Sequence, residues 1–93
     1  MSIENMIKDA DSAIIDVRSP GEFMGGNVSG SINIPLQEIE RRIEEFKGVK
    51  GQIVLCCASG NRSGMATQML RQKGFDNVHN GGSWFDVNHV KNN

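Results

Sequence analysis

The chain has 93 residues, 38% hydrophobic and 23% charged, with a formal net charge of −1. That size suits one small domain over residues 1–93, since domains commonly run to ~100 to 150 residues. The composition excludes a membrane span, which needs about 20 consecutive apolar residues, and any general attraction to nucleic acid, which is met by concentrated Lys and Arg.

The opening Met1-Ser2-Ile3-Glu4-Asn5-Met6 lacks the basic start and apolar run of a secretory signal. Cys56 and Cys57 are neighbours, whereas a disulfide framework uses separated pairs. Free thiols and a cytoplasmic location are therefore expected. Ala13-Ile14-Ile15-Asp16-Val17 is a β-branched run closed by Ser19-Pro20-Gly21, which predicts a buried strand. Pro20 to Met24 suits one helical turn capped by Ser19 and ended by Gly25-Gly26. Ser31-Ile32-Asn33-Ile34 alternates up to Pro35 and predicts a short strand with one buried face.

Leu36, Ile39, Ile43 and Phe46 recur at helical spacing with charges between them, which predicts an amphipathic surface helix with Glu38 and Arg42 one turn apart. Gln52-Ile53-Val54-Leu55-Cys56-Cys57 is the most apolar run and predicts a central strand. From Arg62, the residues Met65, Ala66, Met69 and Leu70 form a helical stripe that stops at Gly74. Asn77-Val78-His79-Asn80 predicts another short strand, Gly81-Gly82 a tight turn, and Ser83 to Val90 a last helix whose Trp84 and Phe85 are expected in the core. Alternating strands and helices imply an α/β fold with right-handed crossovers and a mainly parallel sheet covered by helices on both faces. Ligands of such sheets sit beyond the carboxyl ends of the strands, where Cys57 falls.

Cys57-Ala58-Ser59-Gly60-Asn61-Arg62-Ser63 joins the central strand to a helix, so its peptide N–H groups can converge on one point. Unpaired first-turn amides and the helix dipole favour an anion there, and Gly60 permits the curl. The same field favours the reactive thiolate of Cys57, and Arg62 adds positive charge. Cys56 alternates to the other face and is expected to be structural. Adjacent cysteines lack metal-chelate spacing, and nothing in the sequence brings His79 or His89 to Cys57, so neither a metal nor a cofactor is expected.

This loop resembles the active-site loop of the rhodanese family. Further stretches support the likeness: Ile15-Asp16-Val17-Arg18 with Glu22-Phe23, Gly26-Asn27-Val28-Ser29-Gly30-Ser31-Ile32-Asn33-Ile34-Pro35, and Gly81-Gly82-Ser83-Trp84. The resemblance implies the rhodanese-like fold, and a sulfurtransferase whose Cys57 takes a sulfane sulfur from thiosulfate or a persulfide and passes it to a thiol or cyanide. It implies that the loop amides from Ala58 to Ser63, including Ser59, Gly60 and Asn61, stabilise the persulfide. Arg62 would draw anionic donors to the rim. Partners would be a small sulfur donor and a thiol acceptor, on a small molecule or a protein, with neither nucleic acid nor membrane. Asn27 and Ser31 replace the family's usual His and Ala. An Arg18–Glu22 ion pair is expected to tie the first turn. Two alternatives stay open: a phosphatase or arsenate reductase using the same loop, and a non-enzymatic binding module. Related phosphatases place five residues between cysteine and arginine, while four intervene here.

Overall fold

The computed structural model describes residues 2–93. In chain order it contains α1 (Ile3–Lys8), β1 (Ala13–Asp16), α2 (Pro20–Met24), β2 (Ile32–Asn33) and a 3₁₀ turn at Leu36–Glu38. Then come α3 (Ile43–Lys47), β3 (Ile53–Cys57), α4 (Asn61–Gln72), β4 (Val78–Ser83) and α5 (Trp84–Lys91). The strands form one sheet in the order β2-β1-β3-β4, and every pair is parallel.

Period-two alternation distributes each strand's side chains to two cores. Ile15, Ile53, Leu55 and Cys57 lie on one face with Phe46 of α3 and Ala66 and Leu70 of α4. Ile14, Val54 and Cys56 lie on the other with Met6 and Ile7 of α1 and Val87 of α5. Helices thus cover both faces, as the alternating elements imply. Among the described residues, no helix is long and apolar enough to cross a membrane.

Several elements differ from expectation. The first is α1, which the opening residues did not announce; Met1 lies outside the described residues. Ser2 caps it by accepting the Asn5 amide at 3.2 Å, and its two buried residues make it amphipathic. The amphipathic segment after Pro35 is not one helix. It splits into the 3₁₀ turn and α3, because Arg42 leaves the helical range (φ −110°, ψ 27°) and ties the intervening turn down. Its guanidinium reaches the Asn33 carbonyl at 3.4 Å, Glu45 at 2.6 Å and, as the spacing suggests, Glu38 at 3.2 Å. Ile39 and Phe46 are still buried, so the apolar spacing is satisfied without a continuous helix.

Ile32 is 46% exposed on the edge strand while Ile34 is buried, so the expected alternation holds for one residue only. Gly81-Gly82 is not a turn. β4 runs through both, with a register shift opposite Leu55 and Cys56. A Cβ on Gly81 would lie 2.7 Å from Val54 Cγ1 and 3.0 Å from Val87 Cγ2, so the strand packs there only without a side chain. Met65 of the apolar stripe is 54% exposed, and Phe85, expected in the core, is 70% exposed. Trp84 is half-buried, with the Arg18 guanidinium 4.8 Å from its ring centre.

Candidate active site

Cys57 is the last residue of β3 and α4 begins four residues later, so the sulfur sits where the central strand hands over to a helix. Gly60 makes the connection at φ +100°, a left-handed conformation that suits a residue without Cβ. No side chain caps α4, which leaves its first amides for another acceptor. Cys57 Sγ supplies it. The Gly60 N–H donates to Sγ at 3.0 Å, the Ser63 N–H lies at 3.4 Å, and the Ser63 hydroxyl also lies at 3.4 Å.

On the resting sulfur itself, two residues of the loop make hydrogen bonds. Gly60 and Ser63 reach the sulfur, while Ala58 and Asn61 make no hydrogen bond to it. Cys57 is also fully buried, not exposed. Burial is the largest single influence on its thiol and pushes the pKa up, but the Ser63 side chain and the amides of Ser63, Gly60 and Ser59 outweigh it. The net direction is down. Cys56 is equally buried on the opposite face and lacks these donors; burial, with Asp16 adding, pushes its thiol up to about 12. Donors, not exposure, distinguish the two cysteines.

Arg62 is not free. Its guanidinium grips Glu22 of α2 bidentately, Nη1 to Oε1 at 2.7 Å and Nη2 to Oε2 at 2.9 Å. Glu22 also closes the capping box of α2, accepting the Ser19 amide and hydroxyl at 3.0 Å each. The expected Arg18–Glu22 ion pair is therefore absent. Arg18 turns to Asp16 at 2.7 Å, because both are buried and a buried carboxylate needs a partner. Arg18 also donates to the Glu22 carbonyl at 3.3 Å and the Gly26 carbonyl at 2.6 Å. Asn27 donates to the Phe23 carbonyl at 2.9 Å and Ser31 to the Val28 carbonyl at 2.6 Å, so both unusual residues serve the turn and neither approaches the sulfur.

Asn80, which the sequence did not single out, completes the loop. Its Oδ1 accepts from the Ser63 hydroxyl at 2.7 Å and from the Gly82 amide at 3.0 Å, and its Nδ2 donates to the Gly60 carbonyl at 3.2 Å. A groove lined by Gly64, Thr67, Gln68, Arg71, Gln72 and Asn80 runs beside it. His79 bonds Gln52, ahead of β3, at 2.7 Å, and His89 is exposed on α5; neither joins the site.

A parallel α/β sheet with a cysteine at the carboxyl end of its central strand, its sulfur accepting from the Gly60 and Ser63 amides at the start of the next helix, is an arrangement that favours an anionic sulfur. The Rhodanese-like domain model matches residues 2–87, and the chain belongs to that domain family. It is 42% identical over 67 residues to the uncharacterized protein YqhL of Bacillus subtilis, covering 72% of this chain and 52% of that one. It is 38% identical over 74 residues to the thiosulfate sulfurtransferase PspE of Escherichia coli, covering 78% of this chain and 71% of PspE. The crystal structure of reduced Bacillus anthracis CoADR-RHD superposes with a TM-score of 0.78 at 36% identity, over 96% of this chain and 15% of that one. The chain thus spans about half the length of the B. subtilis relative and a small part of the B. anthracis protein.

Proposed function

We propose that this chain transfers sulfane sulfur through a persulfide on Cys57. The Cys57 thiolate attacks the outer sulfur of thiosulfate, the S–S bond breaks, and sulfite leaves with the bonding pair. An acceptor thiolate then attacks the outer sulfur of the Cys57 persulfide and expels the Cys57 thiolate. A persulfide donor follows the same course with a thiolate as leaving group. The reading rests above all on one observation: the Gly60 and Ser63 amides meet on Cys57 Sγ at 3.0 and 3.4 Å, a donor set that favours an anionic sulfur. The thiosulfate sulfurtransferase activity of PspE supports it. The four-residue spacing to Arg62 favours a sulfur atom over a tetrahedral phosphate, and Glu22 already occupies the guanidinium that a phosphate would use. Because Cys57 is covered, the donor enters as the loop gives way.

Thiosulfate treatment is expected to add one sulfur, about 32 Da, to Cys57 and nothing to Cys56, since only one thiol has the donors that make it reactive. Intact mass followed by peptide mapping decides the matter. An adduct on Cys56, or one that persists in Cys57→Ser, would remove Cys57 as the carrier. Hydrolysis of an aryl phosphate without sulfur uptake would shift the reading to phosphate chemistry.

A further inference from the structure

The hydrogen bonds around Asn80 fix the orientation of its amide and the direction of the Ser63 hydroxyl hydrogen. Gly82 N–H can only donate and the Gly60 carbonyl can only accept, so the Asn80 amide has one orientation, with Oδ1 toward Gly82 and Nδ2 toward Gly60. Oδ1 also lies 2.7 Å from Ser63 Oγ, and an oxygen with no hydrogen makes the hydroxyl the donor. A hydroxyl has one hydrogen. With that hydrogen on Asn80, Ser63 offers Cys57 only lone pairs, and at 3.4 Å the partner that suits them is a protonated S–H.

We infer that Asn80 is a positioning residue which turns the buried Ser63 hydroxyl into an acceptor for the resting Cys57 thiol and so holds back its ionisation until the sulfur becomes anionic. When the proton leaves, the hydroxyl rotates to donate to sulfur. Asn80 Oδ1 keeps the Gly82 amide at 3.0 Å, so the exchange strands no buried group. The two arrangements differ by one hydroxyl rotation. The inference deepens the persulfide reading, and rests on it only for its use: a terminal sulfur on Cys57 would be the anion that claims the hydroxyl.

Other charges around the sulfur are the same in either arrangement. They are Asp16 at the end of β1 and Arg18 just after it, Glu22 of α2, and Arg62 at the start of α4; Cys56 lies on the far face, His79 of β4 is bonded to Gln52, and Asp86 is exposed on α5. The test is the pH dependence of Cys57 alkylation by neutral iodoacetamide, with the modified cysteine read by peptide mass. Asn80→Ala should free the hydroxyl for the thiolate and lower the midpoint by about half a pH unit, at most about a threefold rise in thiolate below the midpoint. Ser63→Ala should raise it. The double variant Ser63→Ala with Asn80→Ala should stay where Ser63→Ala lies, since no hydroxyl is left to redirect.

An unmoved or raised midpoint in Asn80→Ala overturns the inference. So does an equal drop in the Ser63→Ala background, which would mean that Asn80 acts through the Gly60 carbonyl. Should Asn80→Ala fail to fold, Asn80→Asp keeps both acceptor contacts. It should raise the midpoint, and by more with Ser63 present than in the Ser63→Ala background; equal shifts in the two backgrounds overturn the inference as well. No sulfur donor enters the assay, so a protein that ignores thiosulfate yet gives these shifts would overturn the sulfur-transfer reading alone.

Discussion

Glu22 changes what Arg62 can do. A guanidinium already gripping a carboxylate at 2.7 and 2.9 Å draws an anionic donor less than a free one would, and the donor has to displace or share that grip. Glu22→Gln is therefore expected to quicken sulfur uptake from thiosulfate a few-fold while leaving a neutral donor nearly unchanged, and added salt should shrink the difference. A slower Glu22→Gln would mean that the carboxylate orients Arg62 productively. The latch does not open with pH in the working range. The Arg62 hydrogen bond first, and the Ser19 amide after it, hold the Glu22 carboxyl at about 2 against an ordinary 4.5, so the pairing is complete above the ordinary value and fades only as pH falls toward the depressed one. Between pH 5 and 8, taken as roughly the range where carboxylates stay ionised, a pH profile of uptake reports Cys57 instead. Cys57, Arg62 and Ser63 were legible in the sequence because they lie within seven residues of one loop. Glu22 and Asn80 were not: they meet Arg62 and Ser63 across 40 and 17 positions, and nothing local marks such pairs. The mistaken Arg18–Glu22 pair has the same origin, since spacing shows who is near in the chain and not who is buried together.

Elements whose signal lies in their own residues were read correctly, from the four-residue β1 and the Ser19-capped α2 to β3 and α4. β3 and α4 have five apolar residues in a row and an apolar stripe over several turns, respectively, and each formed nearly as expected. The two-residue β2, the split after Leu36 and the passage of β4 through two glycines depend on what packs beside them. Gly81 makes this concrete. Gly81→Ala should destabilise the fold by about 1 to 3 kcal/mol, because the methyl would drive into Val54 of β3 and Val87 of α5, both buried. Urea unfolding measures it, and a variant as stable as the parent would show that β4 can slide past the contact. A pair of glycines reads as a turn only when no neighbour needs the space of their missing side chains.

For the molecule as a whole, β3 is the hub, flanked by β1 and β4 and buried on both faces over all five residues. Its amides should exchange with solvent only through global unfolding, while those of the two-residue edge strand β2 should exchange through smaller openings. Hydrogen exchange under native conditions ranks them; β3 amides as quick as those of β2 would mean that the centre opens locally. The parallel sheet and its two helical layers were legible from the alternation of elements, whereas α1 escaped because six residues carry too little periodicity to stand out. The placement of the two thiols on opposite faces of β3 also bears on oxidation. Once peroxide converts Cys57 to a sulfenic acid, the usual rescue is attack by a resolving thiol, and the sheet stands between Cys57 and the other cysteine of these 93 residues. Repair must come from a thiol outside this fold, the same kind of molecule that would accept the sulfur, and where such thiols run short the oxidised sulfur goes on to the irreversible acids.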